Sequence, residues 1–561
     1  MKASQLAIVV VAALAVGLVV LFGRDDGGDE GRSAQSRAPA GTLAVRFAYS
    51  PEKEKLLAPL IEGFNRSDAR AGGKRVFIEG QVVSSGEAEE KIANGSLKPV
   101  AWSPASSLWG RLLNFDADRA YVPRTNPSIV RTPLVIAMWE PMAEALGYPG
   151  KPVGFADILD LASSGEGWRR YGHPEFGAFK LVHTNPDFST SGLSAVVAEY
   201  YAATGKNEGL RESDVTGSKA RRTVRGIEQS IVHYGDTTLF IAEQMKKGGL
   251  GYASAVAMEE VTLLDFNRTR GSRDKLVAIY PQEGTFYSDN PFVVLDAPWV
   301  SAQEREGARM FQRFLAKEVT PSRAATSGFR PADPSKRPVA PITPANGADP
   351  RQPTRVLGLP EPRVIDRIRS AWREDRKPAN VMLVVDTSGS MNDENRLENA
   401  KDGLEVFFDE VSRRDRVGLI TFSDLTTGQL PVRDPFRRTE RDLRRIVQGL
   451  TADGGTAVYD ATDEGLESVR RLDDESRINA VVVLTDGEDT DSTLSVDEVV
   501  ERVTNQDDSA PRVRVFTIAY SAGAEGAAES LERIAQGSGG QAYEGTTGNI
   551  EAVYRSISSF F

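Results

Sequence analysis

The chain has 561 residues, 40% hydrophobic and 26% charged, the balance of a globular protein with more than one core. Its formal net charge of −11 excludes a general nucleic-acid binder, which needs a basic face. The lack of cysteine excludes disulfides, thiolate metal sites, thiol nucleophiles and a lipid-modified cysteine anchor, and three histidines (His173, His183 and His233) are too few for a histidine-rich zinc site.

Leu6 to Phe22, "LAIVVVAALAVGLVVLF", carries no charge. It is longer than the ~7–15-residue core of a signal peptide and just short of the ~20 residues of a comfortable membrane span. Ala13-Leu14-Ala15 has a cleavage-like pattern but lies inside the apolar run, so residues 1–23 read as an uncleaved single membrane anchor. Lys2 and the terminal amine stand against Arg24, Arg32 and Arg37, so charge counting does not choose an orientation. Residues 24–41 have no apolar period and read as a flexible tether.

A first folded region begins where Leu43, Val45, Phe47 and Tyr49 alternate as on a strand. Ser50 can cap a following helix with Pro51 at its first position and Leu57, Leu60, Ile61 and Phe64 on one face. The pattern repeats in "KRVFIEGQVV" and a helix in which Ser84 and Glu87 have capping-box spacing. Such alternation predicts an α/β fold. Residues 331–362 are rich in proline and read either as a free linker or as an extended strap lying along the first domain. Val364, Ile365, Ile368 and Trp372 then form a helical stripe, which places the first domain at 42–376 and the second at 377–561.

From residue 381 the runs "VMLVV", "RVGLITF", "NAVVVLT" and "VRVFTIAY" predict strands buried on both faces of a parallel sheet, with Leu397, Ala400, Leu404, Phe407, Phe408 and Val411 on a helical stripe between them. This is a doubly wound α/β pattern. Loops converge at the carboxyl ends of the strands of such sheets. Asp386, Thr387, Ser388 and Ser390 follow one strand, Asp486 follows another, and Gly454-Gly455 leads into Thr456 before a helix. Carboxylates and hydroxyls without nitrogen or sulfur suit a hard cation such as Mg²⁺, Mn²⁺ or Ca²⁺.

Asp386-Thr387-Ser388-Gly389-Ser390 resembles the D-x-S-x-S signature of von Willebrand factor type A domains, and Thr456 and Asp486 match that family's other two metal-site loops. The resemblance implies that Ser388, Ser390 and Thr456 offer hydroxyls to a divalent ion while Asp386 and Asp486 act directly or through water. An open coordination position would then accept an acidic side chain of a protein partner. The first domain, above all "FKLVHTNPDFSTSGLSAVVAEYYAATG" and "YPQEGTFYSDNPFVVLDAPWV", resembles bacterial solute-binding proteins of the bilobal, periplasmic type. That likeness implies two lobes closing on an anionic or polar ligand at helix N-termini, with Ser50, Ser84, Ser85, Ser189, Thr190 and Ser191 at the matching turns. Each of the six is also an ordinary helix cap.

No G-x-S-x-G elbow, H-E-x-x-H helix or G-x-G-x-x-G fingerprint is present, and His183, close to Ser189, reads as a capped loop histidine rather than a base. The sequence therefore points to a non-enzymatic bacterial cell-surface binding protein, anchored once in the membrane with both domains extracytoplasmic. Its type A domain would hold a partner through a divalent ion. The alternative is a receptor handing a small solute to a transport system.

Overall fold

The computed structural model describes residues 37–561 except 272, 507–510 and 521–524. The anchor Leu6–Phe22 and nearly all of the tether lie outside these residues. Among the described residues no helix is long and apolar enough to cross a membrane.

The first region is α/β and bilobal. One lobe is a five-stranded sheet in which Leu43–Tyr49 pairs in parallel with Lys74–Val82 and Ala101–Ser103. The other is built on Val130–Trp139, which pairs antiparallel with Ala255–Glu259, Leu276–Ile279, Tyr287–Ser288 and Arg330–Pro331. The chain leaves the first lobe after helix Ser107–Asp116, returns with Val293–Val294 and helix Ala302–Glu318, and crosses again to Arg330–Pro331.

The third sheet is doubly wound and mainly parallel, in the order Thr426–Leu430, Arg416–Phe422, Ala379–Asp386, Ile478–Thr485, Val513–Tyr520, Ala542–Gly545. Only Thr426–Leu430 is antiparallel, and it is a short, polar edge strand. Ala379–Asp386, Ile478–Thr485 and Val513–Tyr520 are buried at every position, which is why they read as continuous apolar runs. Helix Arg396–Glu410 buries Leu397, Ala400, Leu404, Phe407 and Phe408, and Val411 falls just past its end.

The proline-rich stretch 331–362 is a strap along the second lobe. Leu357 donates its N–H to Thr285 O (2.9 Å), Ala278 to Gly347 O (2.7 Å), and Ile342, Ala348 and Leu357 are buried beneath it. Helix Pro362–Asp375 then packs its Val364, Ile365, Ile368 and Trp372 stripe on the second lobe. No free linker follows. Arg376 and Asp415, both buried, pair at 2.7 Å across the start of the third sheet, and the other Asp415 oxygen accepts from Ala379 N.

The C-terminus closes the junction from the other side. Helix Ile550–Ser558 ends in Phe560 and Phe561; Phe560 is 0% exposed between Phe240 and His233 of the first region and Phe516 of the third sheet. Tyr234 N and Asn185 Nδ2 donate to the carbonyls of Phe560 and Ser559. One face of the third sheet thus shares a continuous apolar core with the first region, while its other face has a core of its own around Val384, Val481 and Val483. Phe560→Ala is expected to cost about 3–5 kcal/mol, and urea unfolding followed by a first-region and a second-region probe should shift in one coincident transition. Two separate transitions, with only the C-terminal one moved, would contradict the shared core.

Candidate functional site

At the carboxyl edge of the third sheet the sequence-predicted oxygens come together. Asp386 ends its strand fully buried, and its two oxygens accept from Ser388 N (2.7 Å) and from the Thr485 hydroxyl. Ser388 Oγ and Ser390 Oγ are 3.0 Å apart, and Ser390 Oγ donates to Asp486 Oδ1 at 2.7 Å. Thr456 joins them through Gly487: a Cβ at Gly487 would stand 4.0 Å from both Ser390 Oγ and Thr456 Oγ1. A larger residue there would press into the oxygen cluster.

The loop bearing Thr456 is held by acids that the motif does not contain. Thr456 N donates to Thr490 Oγ1 (2.9 Å) and to Asp491 Oδ2 (3.0 Å), Gly455 N donates to Asp424 Oδ1, and Gly389 N donates to Gly454 O (2.9 Å). Gly454 has φ +86°, a left-handed backbone that favours glycine, and a Cβ on Gly455 would lie 1.9 Å from Asp491 Oδ2. Gly454 is therefore favoured by its backbone, and a side chain at Gly455 would push the Asp491 carboxylate off the Thr456 amide.

Burial pushes the Asp386 carboxyl up to about 6, and the nearby Asp486 charge adds to the effect. Asp486 itself is paired: Arg396, at the start of its helix, donates to Asp486 Oδ2 at 2.7 Å. Nothing in the sequence pattern marks Arg396, because Glu394 and Asn395, both at positive φ, turn the chain between the serine loop and the helix and break the period. Three hydroxyls and two carboxylates facing one another match the hard oxygen set that a divalent ion takes. The donor chemistry of the site fits such an ion.

The second candidate is the cleft between the two lobes, closed down to about 30 Å³, room for a water molecule or two. Of the six expected ligand residues, Ser50, Ser84, Ser85, Ser189 and Thr190 line it. Ser191 does not, and its hydroxyl is spent on Thr184 Oγ1 at 2.8 Å. The cap alternative fails for Ser50, Ser84 and Ser189: each stands at the start of a helix or 3₁₀ turn, yet none of the side chains accepts a cap bond. Ser85 Oγ accepts from Ala105 N, and Thr190 Oγ1 from Trp109 Nε1.

The charged groups of the cleft wall are Glu52, Asp236 and Glu259, with no lysine or arginine. Burial pushes Glu259 up to about 8 and raises Asp236 as well. Lys53 lies behind the wall, its Nζ bound to Ser50 Oγ and Asn290 Oδ1. Two of the three wall carboxyls are thus held toward their neutral, hydrogen-bonding forms. The sequence reading missed these acids because Glu52, Asp236 and Glu259 are scattered among ordinary surface-type patterns. His183, expected in a loop as a cap, instead ends strand Leu181–His183 and is fully buried away from the cleft.

Comparisons with known proteins agree with this layout. A family described as bacterial extracellular solute-binding protein matches residues 45–330, and one described as von Willebrand factor type A domain matches residues 380–555. An uncharacterized protein of Mycobacterium tuberculosis is 23% identical over 562 residues, covering 95% of this chain and 79% of its own length. Among solved structures, the periplasmic binding protein AfuA from Actinobacillus pleuropneumoniae is 13% identical at a TM-score of 0.42, covering 60% of this chain and 100% of its own. The hypothetical protein BatB from Bacteroides thetaiotaomicron is 20% identical at a TM-score of 0.26, covering 32% and 97%. The chain belongs to the bacterial extracellular solute-binding protein family, and a von Willebrand factor type A domain follows that region.

Proposed function

We propose that this protein is a cell-surface binding protein whose type A domain holds a divalent ion and uses it to engage an acidic group of a protein partner. The observation that carries the reading is the convergence of oxygens from three separate loops: Asp386, Ser388, Ser390 and Asp486 are linked by hydrogen bonds, and the Thr456 hydroxyl lies beside them across Gly487. In this reading Ser388, Ser390 and Thr456 hold the ion through hydroxyls, and Asp386 and Asp486 hold it directly or through water. Mg²⁺ is the ion proposed, with Mn²⁺ or Ca²⁺ as chemical equivalents. With neutral ligands in the majority, the ion keeps positive charge for a partner carboxylate. Arg396 beside Asp486 adds a second cation to the same edge. The work proposed for the chain is binding rather than catalysis.

The electrostatics give a measurable sign. The Asp386 carboxyl stands at about 6 against an ordinary 3.8, so the metal-free fold prefers it protonated. Its ionised form weakens the fold increasingly as pH rises from 3.8 through 6. Asp386→Asn should therefore raise metal-free stability at pH 7 by about 2–3 kcal/mol, with the gain fading below pH 4. The same substitution should abolish Mg²⁺ and Mn²⁺ heats in calorimetry and chelator-sensitive partner capture. A folded variant with unchanged metal affinity would return Asp386 to a turn role and remove the reading of metal-dependent partner binding.

The proposed location is the cell membrane, with Leu6–Phe22 as a single span and residues 24–561 outside. The support is the apolar run and the exported character of both families. Protease added to intact cells should remove the folded regions; protection until lysis would place them inside.

A second reading, a receptor for a small solute, is favoured by the three uncapped serines and Thr190 on the wall of the cleft. The solute proposed is a small polar metabolite, which the hydroxyls and the carboxyls of Glu259 and Asp236, held toward their neutral forms, can hydrogen-bond. Because the C-terminal helix completes the core, the full chain is the right sample. Saturable thermal stabilisation is expected with one class of polar metabolite, about 2.7 kcal/mol at a hundredfold excess over Kd, and lost in Glu259→Gln. A broad screen without any shift would leave the cleft as a silent scaffold.

A further inference from the structure

Behind the cleft, away from both sites above, three titratable side chains meet in the core. His183 ends strand Leu181–His183, Glu199 lies in helix Thr190–Thr204, and Glu228 ends helix Ser218–Glu228. They are 0%, 1% and 0% exposed, and each offers one ligand atom within 4.8 Å of the other two. Buried carboxyls beside an imidazole are expensive unless something balances them.

The hydrogen bonds around the trio have a definite direction. His183 Nδ1 is 2.8 Å from Thr184 O, and a carbonyl can only accept, so Nδ1 carries the proton. Nε2 is 3.0 Å from Glu228 Oε1, a contact that needs a proton between the two atoms; burial opposes that proton but the Glu228 charge raises His183 and holds it there, and a bound cation would take its place. The other Glu228 oxygen accepts from Tyr234 OH (2.6 Å) and Trp372 Nε1 (3.1 Å), which fixes that carboxylate with its free edge toward His183. Glu199 Oε2 has no partner at all. An imidazole held through its outer N–H by a backbone carbonyl, and a carboxylate held through its outer oxygen, is how ligands are oriented around a bound cation.

We propose that His183, Glu199 and Glu228 form a buried site for a divalent transition ion of the Zn²⁺ or Mn²⁺ type. Two ionised carboxylates and a neutral imidazole carry two negative charges, which a divalent ion cancels, so the occupied site is neutral in a dry core. Ligand bonds to such ions are about 2.0–2.2 Å, so ligands at a tetrahedral angle stand roughly 3.4 Å apart, and side chains up to 4.8 Å apart close by about 1 Å when the ion enters. One nitrogen among the ligands separates this site from the all-oxygen cluster at Asp386 and favours a transition ion over Mg²⁺. Trp372 lies on the helix that leads into the third sheet, and Tyr234 OH also accepts from Lys377 N, so the site braces the junction between the two regions. Its role is structural, since all three ligands are closed off from solvent.

The test uses the full chain carrying Asp386→Ala, which removes the surface cluster as a source of bound metal. The chain is produced with Zn²⁺ and Mn²⁺ in the medium, dialysed, and analysed for metal by mass spectrometry. About one transition ion per chain is expected. Glu199→Gln and His183→Gln, each added to Asp386→Ala, should reduce it to less than a tenth and lower the melting temperature of the metal-replete protein. Loading with Co²⁺ should give visible d–d absorption that vanishes in both variants. If a variant does not fold, the metal content and Co²⁺ spectrum of the Asp386→Ala chain decide alone. A metal-free Asp386→Ala chain, an ion that persists in Glu199→Gln, or a Glu199→Gln chain that is more stable whether or not metal was supplied would each overturn the proposal. The last result would mean that Glu199 is simply a protonated acid.

Discussion

The parallel register of strand Ala379–Asp386 is the constraint on which the surface site depends. Asp386 lies opposite Phe422, and Val385 opposite Leu484, so the three strands end together and their loops leave at one level. A slip of one residue would turn Asp386 to the other face and bury a side chain of the wrong kind in its place. The register is held because every residue of that strand is buried on both faces. The energy that fixes the core therefore also fixes the geometry of the oxygens. The acids Asp424 and Asp491, which hold the Thr456 loop through its amides, act on the backbone and leave the hydroxyl free.

The junction between the regions is equally constrained. Arg376 with Asp415 on one side, and Phe560 with its carbonyl bonds on the other, leave no hinge between the second lobe and the third sheet. Asn185, which bonds the C-terminal backbone, begins the turn that carries Ser189 and Thr190 to the cleft wall. Asp187 of the same turn is gripped by Arg369 and Arg373 of the helix before the third sheet, and these guanidiniums hold its carboxyl low even though burial opposes them. A cleft residue and the C-terminal helix are thus separated by one short, fully paired turn.

The serines of the cleft show how local and tertiary forces divide the same residue. Ser50, Ser84 and Ser189 have the sequence context of helix caps, and capping would normally satisfy an exposed amide. In the fold, Ser50 Oγ binds Lys53 and Glu52, Ser84 Oγ reaches Glu87 at 3.4 Å, and Ser189 Oγ turns to Ser191 Oγ. The first-turn amides find other partners instead: Gly192 N donates to Thr184 Oγ1 and Gly86 N to Phe188 O, both at 2.9 Å.

The sequence by itself determined the α/β class, the two regions and the five oxygens of the surface cluster. Those features are written in short-range patterns: β-branched runs, helical stripes, and a motif whose first three oxygens lie within five residues. The proline-rich stretch stayed open between linker and strap, because its backbone partners, Thr285 and Ala278, are distant in sequence. Only the tertiary structure paired Arg396 with Asp486, set Glu52, Asp236 and Glu259 on one wall, and brought His183, Glu199 and Glu228 together in the core. In each case the partners come from different elements and carry no common period. Long-range packing, which no local spacing encodes, decided which charges face one another.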